Sequence, residues 1–260
     1  MSLLFMGIAI GLLGSLFIYH GLGVYLFGLD HGYPTFLTRR IKPTPQAKAK
    51  ALYKKELAQN STGVFPFIYR LFKKSEDTKP ILSALMKISE GKQQKDLAQI
   101  FKVYLGLVTS RDLSHILSEA REILAQNKRF IWGKEIASLY TFLHETSSVS
   151  SLAEIILLDF NPIREFIQLS PPNSPLFPSF QLVAEMEKII EILSRFEAAS
   201  SSEDRLVHLI TATNFLGGNI EYTKRSLYSP ERSVFLWLFS RWHTIITQEI
   251  KELRGKAKRV

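Results

Sequence analysis

His144-Glu145 is the closest approach in this chain to a zinc-hydrolase signature, in which two histidines four residues apart hold the metal and the glutamate beside the first acts as base. Thr146, Ser147 and Ser148 follow, so the second histidine is missing and the arrangement fails. His20, His31, His115, His208 and His243 stand singly, without metal-ligand spacing. Glu187 and Glu191 share a helical face at i, i+4, yet no histidine or second glutamate pair joins them, and a solvated face is the better reading. Cysteine is absent, which excludes disulfides, thiolate nucleophiles and Cys-ligated zinc. No G-x-x-x-x-G-K-[ST], G-x-G-x-x-G or G-x-S-x-G pattern occurs, and Gly217-Gly218-Asn219 reads as a helix stop rather than a phosphate loop. The sequence therefore assigns no catalytic residue, no metal ligand and no cofactor, and points to a non-enzymatic protein that acts through contacts.

Charge and hydropathy are distributed far less evenly than these side chains. Residues 1–38 carry −1, residues 39–74 carry +9 and residues 75–260 carry +1. The basic segment follows an uncharged apolar run over residues 3–29. As a helix that run is about 40 Å long, against a bilayer core of roughly 30 Å, so it is expected to span a membrane with length to spare. A cleaved signal peptide fits poorly, since no Lys or Arg precedes Arg39 and small residues for a cleavage site are scarce. A buried core helix also fits poorly, being usually shorter and part polar. The positive-inside rule then puts the N-terminus outside and the large C-terminal part in the cytoplasm. On that side the sequon Asn60-Ser61-Thr62 is not glycosylated.

Arg39, Arg40, Lys42, Lys48, Lys50, Lys54 and Lys55 are the expected contacts to anionic lipid headgroups, each contributing about 1 kcal/mol near such a surface. A pI near 9.6 also suits nucleic acid, but the surplus lies directly after the apolar run, where lipid is the nearest polyanion, so no nucleic-acid partner is expected. Gly7, Gly11 and Ser15 form a small-xxx-small row that would admit a second transmembrane helix, although glycine is common in membrane helices for other reasons.

Downstream the chain reads as helix after helix, with little strand-like alternation. Residues 43–60 suit a basic surface helix capped by Thr44, with Pro45 in its first turn. In 64–74, Phe65, Ile68, Leu71 and Phe72 recur at helical spacing beside Arg70, Lys73 and Lys74; this stripe suits either the surface of an anionic bilayer or the core of the following domain. Helices are expected over 80–90, 95–108, from a Ser110 cap to about 127, over 128–145, over 150–169 with a break at Asn161-Pro162, over 181–199, over 203–216 and from Ser229 onward. Residues 170–179 hold four of the eleven prolines and mark a boundary. The expected organisation is an anchor at 1–30, a basic juxtamembrane segment at 31–78, helical blocks at 79–169 and 180–260, and a linker at 170–179. The fold class is all-α: one transmembrane helix followed by a helical bundle or an irregular α-solenoid.

The last helix has an orthodox start, with Ser229 at the cap, Pro230 in the first turn and Glu231 near the positive end of the dipole. Trp237, Trp242 and Ile246 lie on its broad apolar face, which suits core packing or, where exposed, a protein-binding face. The stretch 203–255, with Ser229-Pro230-Glu231-Arg232-Ser233, the run to Arg241-Trp242 and Glu252-Leu253-Arg254-Gly255, resembles the helical region upstream of the nucleotide-binding module in bacterial multidomain signal-transduction (STAND-type) ATPases. The resemblance covers about a fifth of the chain. No phosphate loop accompanies it, so it implies a regulatory or docking region and lends no catalytic residues. The expected function is that of an adaptor, scaffold, assembly factor or accessory subunit of a membrane complex, with lipid and other membrane or cytoplasmic subunits as partners.

Overall fold

A computed structural model of the protein describes residues 14–15, 43–74, 77–126 and 130–257, and among them every regular element is helical. The helices are α1 (Pro45–Leu52), α2 (Val64–Lys74), α3 (Thr78–Gly91), α4 (Lys95–Thr109), α5 (Leu113–Gln126), α6 (Gly133–Ser148), α7 (Leu152–Ile156), α8 (Asn161–Leu169), α9 (Phe177–Ala198), α10 (Ser202–Ser226) and α11 (Arg232–Ala257). No described helix is long and apolar enough to cross a membrane. The expected span over 3–29 lies outside the described residues except for Gly14 and Ser15, as do Gly7, Gly11, Arg39, Arg40 and Lys42.

The described chain divides into two compact units, 43–64 with 77–105 and 65–74 with 106–126 and 130–257. The expected boundary at 170–179 is therefore corrected: that stretch lies inside the second unit. Its prolines stop one helix and start the next, with Pro178 in the first turn of α9, and short turns from Ser174 to Pro171 and from Phe177 to Ser174 hold it.

In the first unit, Thr44 Oγ1 accepts the Ala47 amide at 3.2 Å and Pro45 occupies the first turn of α1, as the sequence requires. The helix continues into a π-helical turn, Tyr53–Leu57. A wholly charged surface helix is not what forms. Ala47, Ala49, Tyr53 and Leu57 are buried, because α1 lays its small alanines against α3. Lys50, Lys54 and Lys55 remain exposed, and Lys48 Nζ stands 3.6 Å from Asp77. The buried Tyr53 hydroxyl donates to Gln94 Oε1 at 2.6 Å, and burial pushes its phenol upward from the ordinary tyrosine range.

In the second unit, α5 and α6 pack as an antiparallel hairpin whose far ends meet where the Ser147 hydroxyl donates to Ser114 Oγ at 3.1 Å. The start of α5 differs from the expected Ser110 cap: Asp112 Oδ1 takes the His115 amide at 3.1 Å, while Ser110 Oγ takes the Asp112 amide. Gly106 permits a close approach, since a Cβ there would meet Ile116 at 2.8 Å. The long helices α9, α10 and α11 follow one another through short links, with α10 packed against both neighbours. That packing overrides the expected stop at Gly217-Gly218. α10 runs straight through both glycines, which cost about 1 kcal/mol each against alanine, with Leu216 and Thr223 buried on either side.

Two further expectations are corrected by burial. On α2, Phe65, Ile68 and Leu71 are buried and Phe72 half-buried, and Phe65 meets Phe130 edge to face at 5.8 Å, so the stripe serves the core and offers no lipid-facing surface. On α11, Trp242 and Ile246 are fully buried among the core residues of the long helices and form no protein-binding face. Trp237 is half-buried, with the Arg241 guanidinium 5.7 Å above its ring.

Candidate functional site

The residue immediately before α11 organises the second unit. Glu231 accepts the Phe235 amide through its backbone carbonyl at 3.0 Å, which makes it the cap residue of α11; the expected start is thereby corrected, since Ser229 and Pro230 precede the helix and the Ser229 hydroxyl bonds no amide of its first turn. Its side chain turns inward and is completely buried. The Tyr69 hydroxyl of α2 donates to Oε1 at 2.6 Å, the Tyr140 hydroxyl of α6 donates to the same oxygen at 2.8 Å, and the Ser179 hydroxyl of α9 donates to Oε2 at 3.3 Å. One carboxyl thus joins the starts or middles of four helices.

Burial disfavours the charged carboxylate and pushes Glu231 above the ordinary glutamate range; the hydroxyl donors from Tyr69 and Tyr140 oppose this without reversing it. The Ser229 hydroxyl is close enough to add slightly to that opposition but lacks hydrogen-bond geometry to the carboxyl. A raised carboxyl pKa in a cleft marks a candidate acid or base. Glu231 has no exposed surface and lines neither of the two concavities described below; what its carboxyl does in the fold is tie α2, α6 and α9 to the start of α11.

An accessible concavity lies on the outer side of Tyr69. This pocket, of about 520 Å³, has three walls. α2 supplies Pro66, Tyr69, Arg70 and Lys73; the proline-rich loop and the start of α9 supply Pro172, Asn173, Ser174, Pro175 and Pro178; residues 226–229 close the third side. Ser174 is buried and its Oγ accepts the Leu176 amide at 3.2 Å, which fixes the loop wall. Leu227 is buried and anchors the third wall, leaving Tyr228 exposed. Arg70 and Lys73, one turn apart on α2, are the charged residues of the lining, which includes no Asp or Glu. A second concavity of about 390 Å³ lies between α9 and α10, lined by Gln181, Glu185, Asn219 and Tyr222 among others.

The remaining residues singled out by sequence do not converge. Among the described residues no group of three or more His, Asp or Glu side chains could hold a metal. Glu187 is paired with Arg164 of α8, and Glu191 with Arg195 on its own helix at 2.7 Å. Lys48, Lys50, Lys54 and Lys55 belong to the first unit and are not among the residues that line the pocket. Sequence reasoning noted Glu231 only as a helix-start residue and did not single out Tyr69, Tyr140 or Ser179, because positions 162, 91 and 52 residues away from it carry no local pattern that ties them together. Arg70 and Lys73 were visible as the polar flank of an amphipathic helix, but not as pocket groups. No protein-family model, curated protein or solved structure matches the chain.

Proposed function

We propose that the protein is a non-enzymatic, membrane-anchored helical adaptor or accessory subunit of a membrane complex. In this reading residues 1–30 span the bilayer with the N-terminus outside, the basic residues from Arg39 to Lys55 lie at anionic headgroups, and the second unit meets partner subunits on the cytoplasmic side. The observation that carries it is the separation of charge. By sequence, residues 1–64 with 75–105 hold 12 Lys/Arg against six Asp/Glu, whereas residues 65–74 with 106–260 hold 21 against 18 over a much longer stretch. A basic unit that follows an apolar run in sequence suits attachment to an anionic leaflet. A near-neutral helical unit, with its perturbed carboxyl sealed inside, suits contact rather than catalysis.

Alkaline extraction of membranes carrying the intact protein, followed by protease protection in sealed vesicles, tests the anchor and its orientation. Retention in the membrane pellet, with cleavage in the 43–60 segment only from the cytoplasmic face, is the expected result. Release into the supernatant, or protection from protease on that face, overturns it. Purification of the detergent-solubilised protein with its bound subunits then tests the adaptor role.

A further inference from the structure

We propose that the outer face of α10 is a self-recognition surface, on which a second copy of the chain docks its own α10 antiparallel about a two-fold axis. α10 packs against α9 and α11, and Leu209, Ala212, Leu216 and Thr223 are buried along one side of it. The opposite side faces outward. Val207, Thr211, Asn214, Gly218 and Tyr222 recur there at steps of four, three, four and four residues, which keeps them on one stripe, and every one is exposed. Val207 and Tyr222 are large apolar side chains left open to solvent, at 58% and 46% exposure.

What identifies the occupant is that this stripe is its own complement. A two-fold centred between Asn214 and Phe215 sets Val207 of one copy opposite Tyr222 of the other, Thr211 opposite Gly218, and Asp204 opposite Arg225. In each match the chemistry fits: two apolar groups meet, a side chain meets a glycine, an acid meets a base. The charges also fix direction. Glu203 and Asp204 make the start of the face acidic, because Arg205 is turned back toward the Ala199 carbonyl and the Phe196 ring. At the far end Lys224 and Arg225 share the single Glu221 and leave a positive surplus. A parallel pair would set like ends together, so the antiparallel pair is the matched one.

Gly218 supports the same contact independently. Glycine is unfavourable inside a helix, and a Cβ at 218 would meet nothing within 4 Å, so packing within the chain does not call for it. Opposite Thr211 it lets two helix backbones approach closely. The Thr211 hydroxyl already donates to the Val207 carbonyl at 2.8 Å, so the approach strands no donor. Beside Tyr222, the concavity of about 390 Å³ between α9 and α10 gives the facing Val207 room to enter. One helix face is smaller than a standard interface, so the dimer is weak, with a Kd of roughly 1–100 μM. The contact lies wholly in the second unit and does not depend on the membrane anchor.

Sedimentation velocity of the intact protein in non-ionic detergent, over a concentration series spanning that range, tests it. The variants are Asp204→Arg, Arg225→Asp and Gly218→Leu, all at exposed positions, with tryptophan fluorescence to check that the second unit is intact. A monomer–dimer equilibrium weakened about tenfold or more in each variant is the expected result. Mixing Asp204→Arg with Arg225→Asp is expected to restore association, because the antiparallel register gives that mixed pair an acid opposite a base at both ends. Gly218→Leu should break the dimer while leaving the thermal midpoint unchanged or raised, which separates docking from folding and keeps the test decisive if a charge variant unfolds. A monomer at every concentration, association that all three variants leave unchanged, or charge variants that weaken it without restoration in the mixture overturns the proposal.

Discussion

The two units are built from the same material, helices joined by short turns, yet they treat polar groups in opposite ways. The first unit keeps its lysines toward water and satisfies buried hydroxyls locally, with Tyr53 donating to the half-buried Gln94 and Ser89 donating to the Leu85 carbonyl of its own helix. The second encloses a carboxyl completely and surrounds it with donors from three other helices. Size explains the difference. A larger unit buries a greater fraction of its surface and can seal a polar group at its centre, whereas a small one has few positions far from solvent. The lesson extends to the basic residues. Lys54 and Lys55 project from an exposed turn, but Arg70 and Lys73, equally exposed and equally charged, stand at a concavity because the proline-rich loop packs beside α2.

The sharpest way to break the contrast is through the core of the second unit. Trp242→Ala is expected to destabilise that unit by about 3–5 kcal/mol, read by urea unfolding. All three tryptophans, Trp132, Trp237 and Trp242, belong to the second unit, so the two remaining in this variant report it selectively. An unchanged midpoint would show that Trp242 is surface rather than core. Glu231→Leu comes next, at about 2–3 kcal/mol, because it removes the acceptor that Tyr69, Tyr140 and Ser179 share.

Glu231→Gln refines the same point through pH. Because burial raises the folded-state pKa above the unfolded one, the stability tied to the protonated carboxyl is fully present below the ordinary glutamate range and is lost as pH rises through the raised folded value. Glutamine cannot ionise, so the variant is expected to gain on the natural protein as pH rises across that window and to lose the dependence. Identical pH profiles for the two would show that Glu231 ionises alike in both states. In the first unit, Tyr53→Phe should cost about 1 kcal/mol, seen as faster amide exchange in α1, since only one hydrogen bond to Gln94 is removed. Lys54→Ala/Lys55→Ala is expected to change unfolding by less than about 0.5 kcal/mol while reducing attachment to anionic bilayers in a salt-dependent way.

Helix starts and the all-α class were legible wherever one short segment held the signal. Thr44 with Pro45 and the break at Asn161-Pro162 are local chemistry and appear in the folded chain as their residues imply. The start expected at Ser229-Pro230 instead slips two residues, with Glu231 at the cap and Arg232 opening α11, because the inward-turned Glu231 is held by three other helices. The Gly217-Gly218 reading failed because two flanking helices stabilise α10 through packing that no window of sequence contains. The amphipathic stripe of α2 and the tryptophans of α11 were ambiguous for a related reason: apolar periodicity states that a face is covered but not what covers it.

The sequence alone determined the helical class, the absence of cysteine chemistry and of any phosphate-loop motif, and the uneven spread of charge, since each depends on residue type and short spacing. Only the tertiary structure decided that Glu231 turns inward to Tyr69, Tyr140 and Ser179, and that prolines 172, 175 and 178 wall a pocket beside Arg70 and Lys73 rather than separate two blocks. Those groups are far apart along the chain, and what joins them is burial, a property of the packed unit rather than of any segment within it.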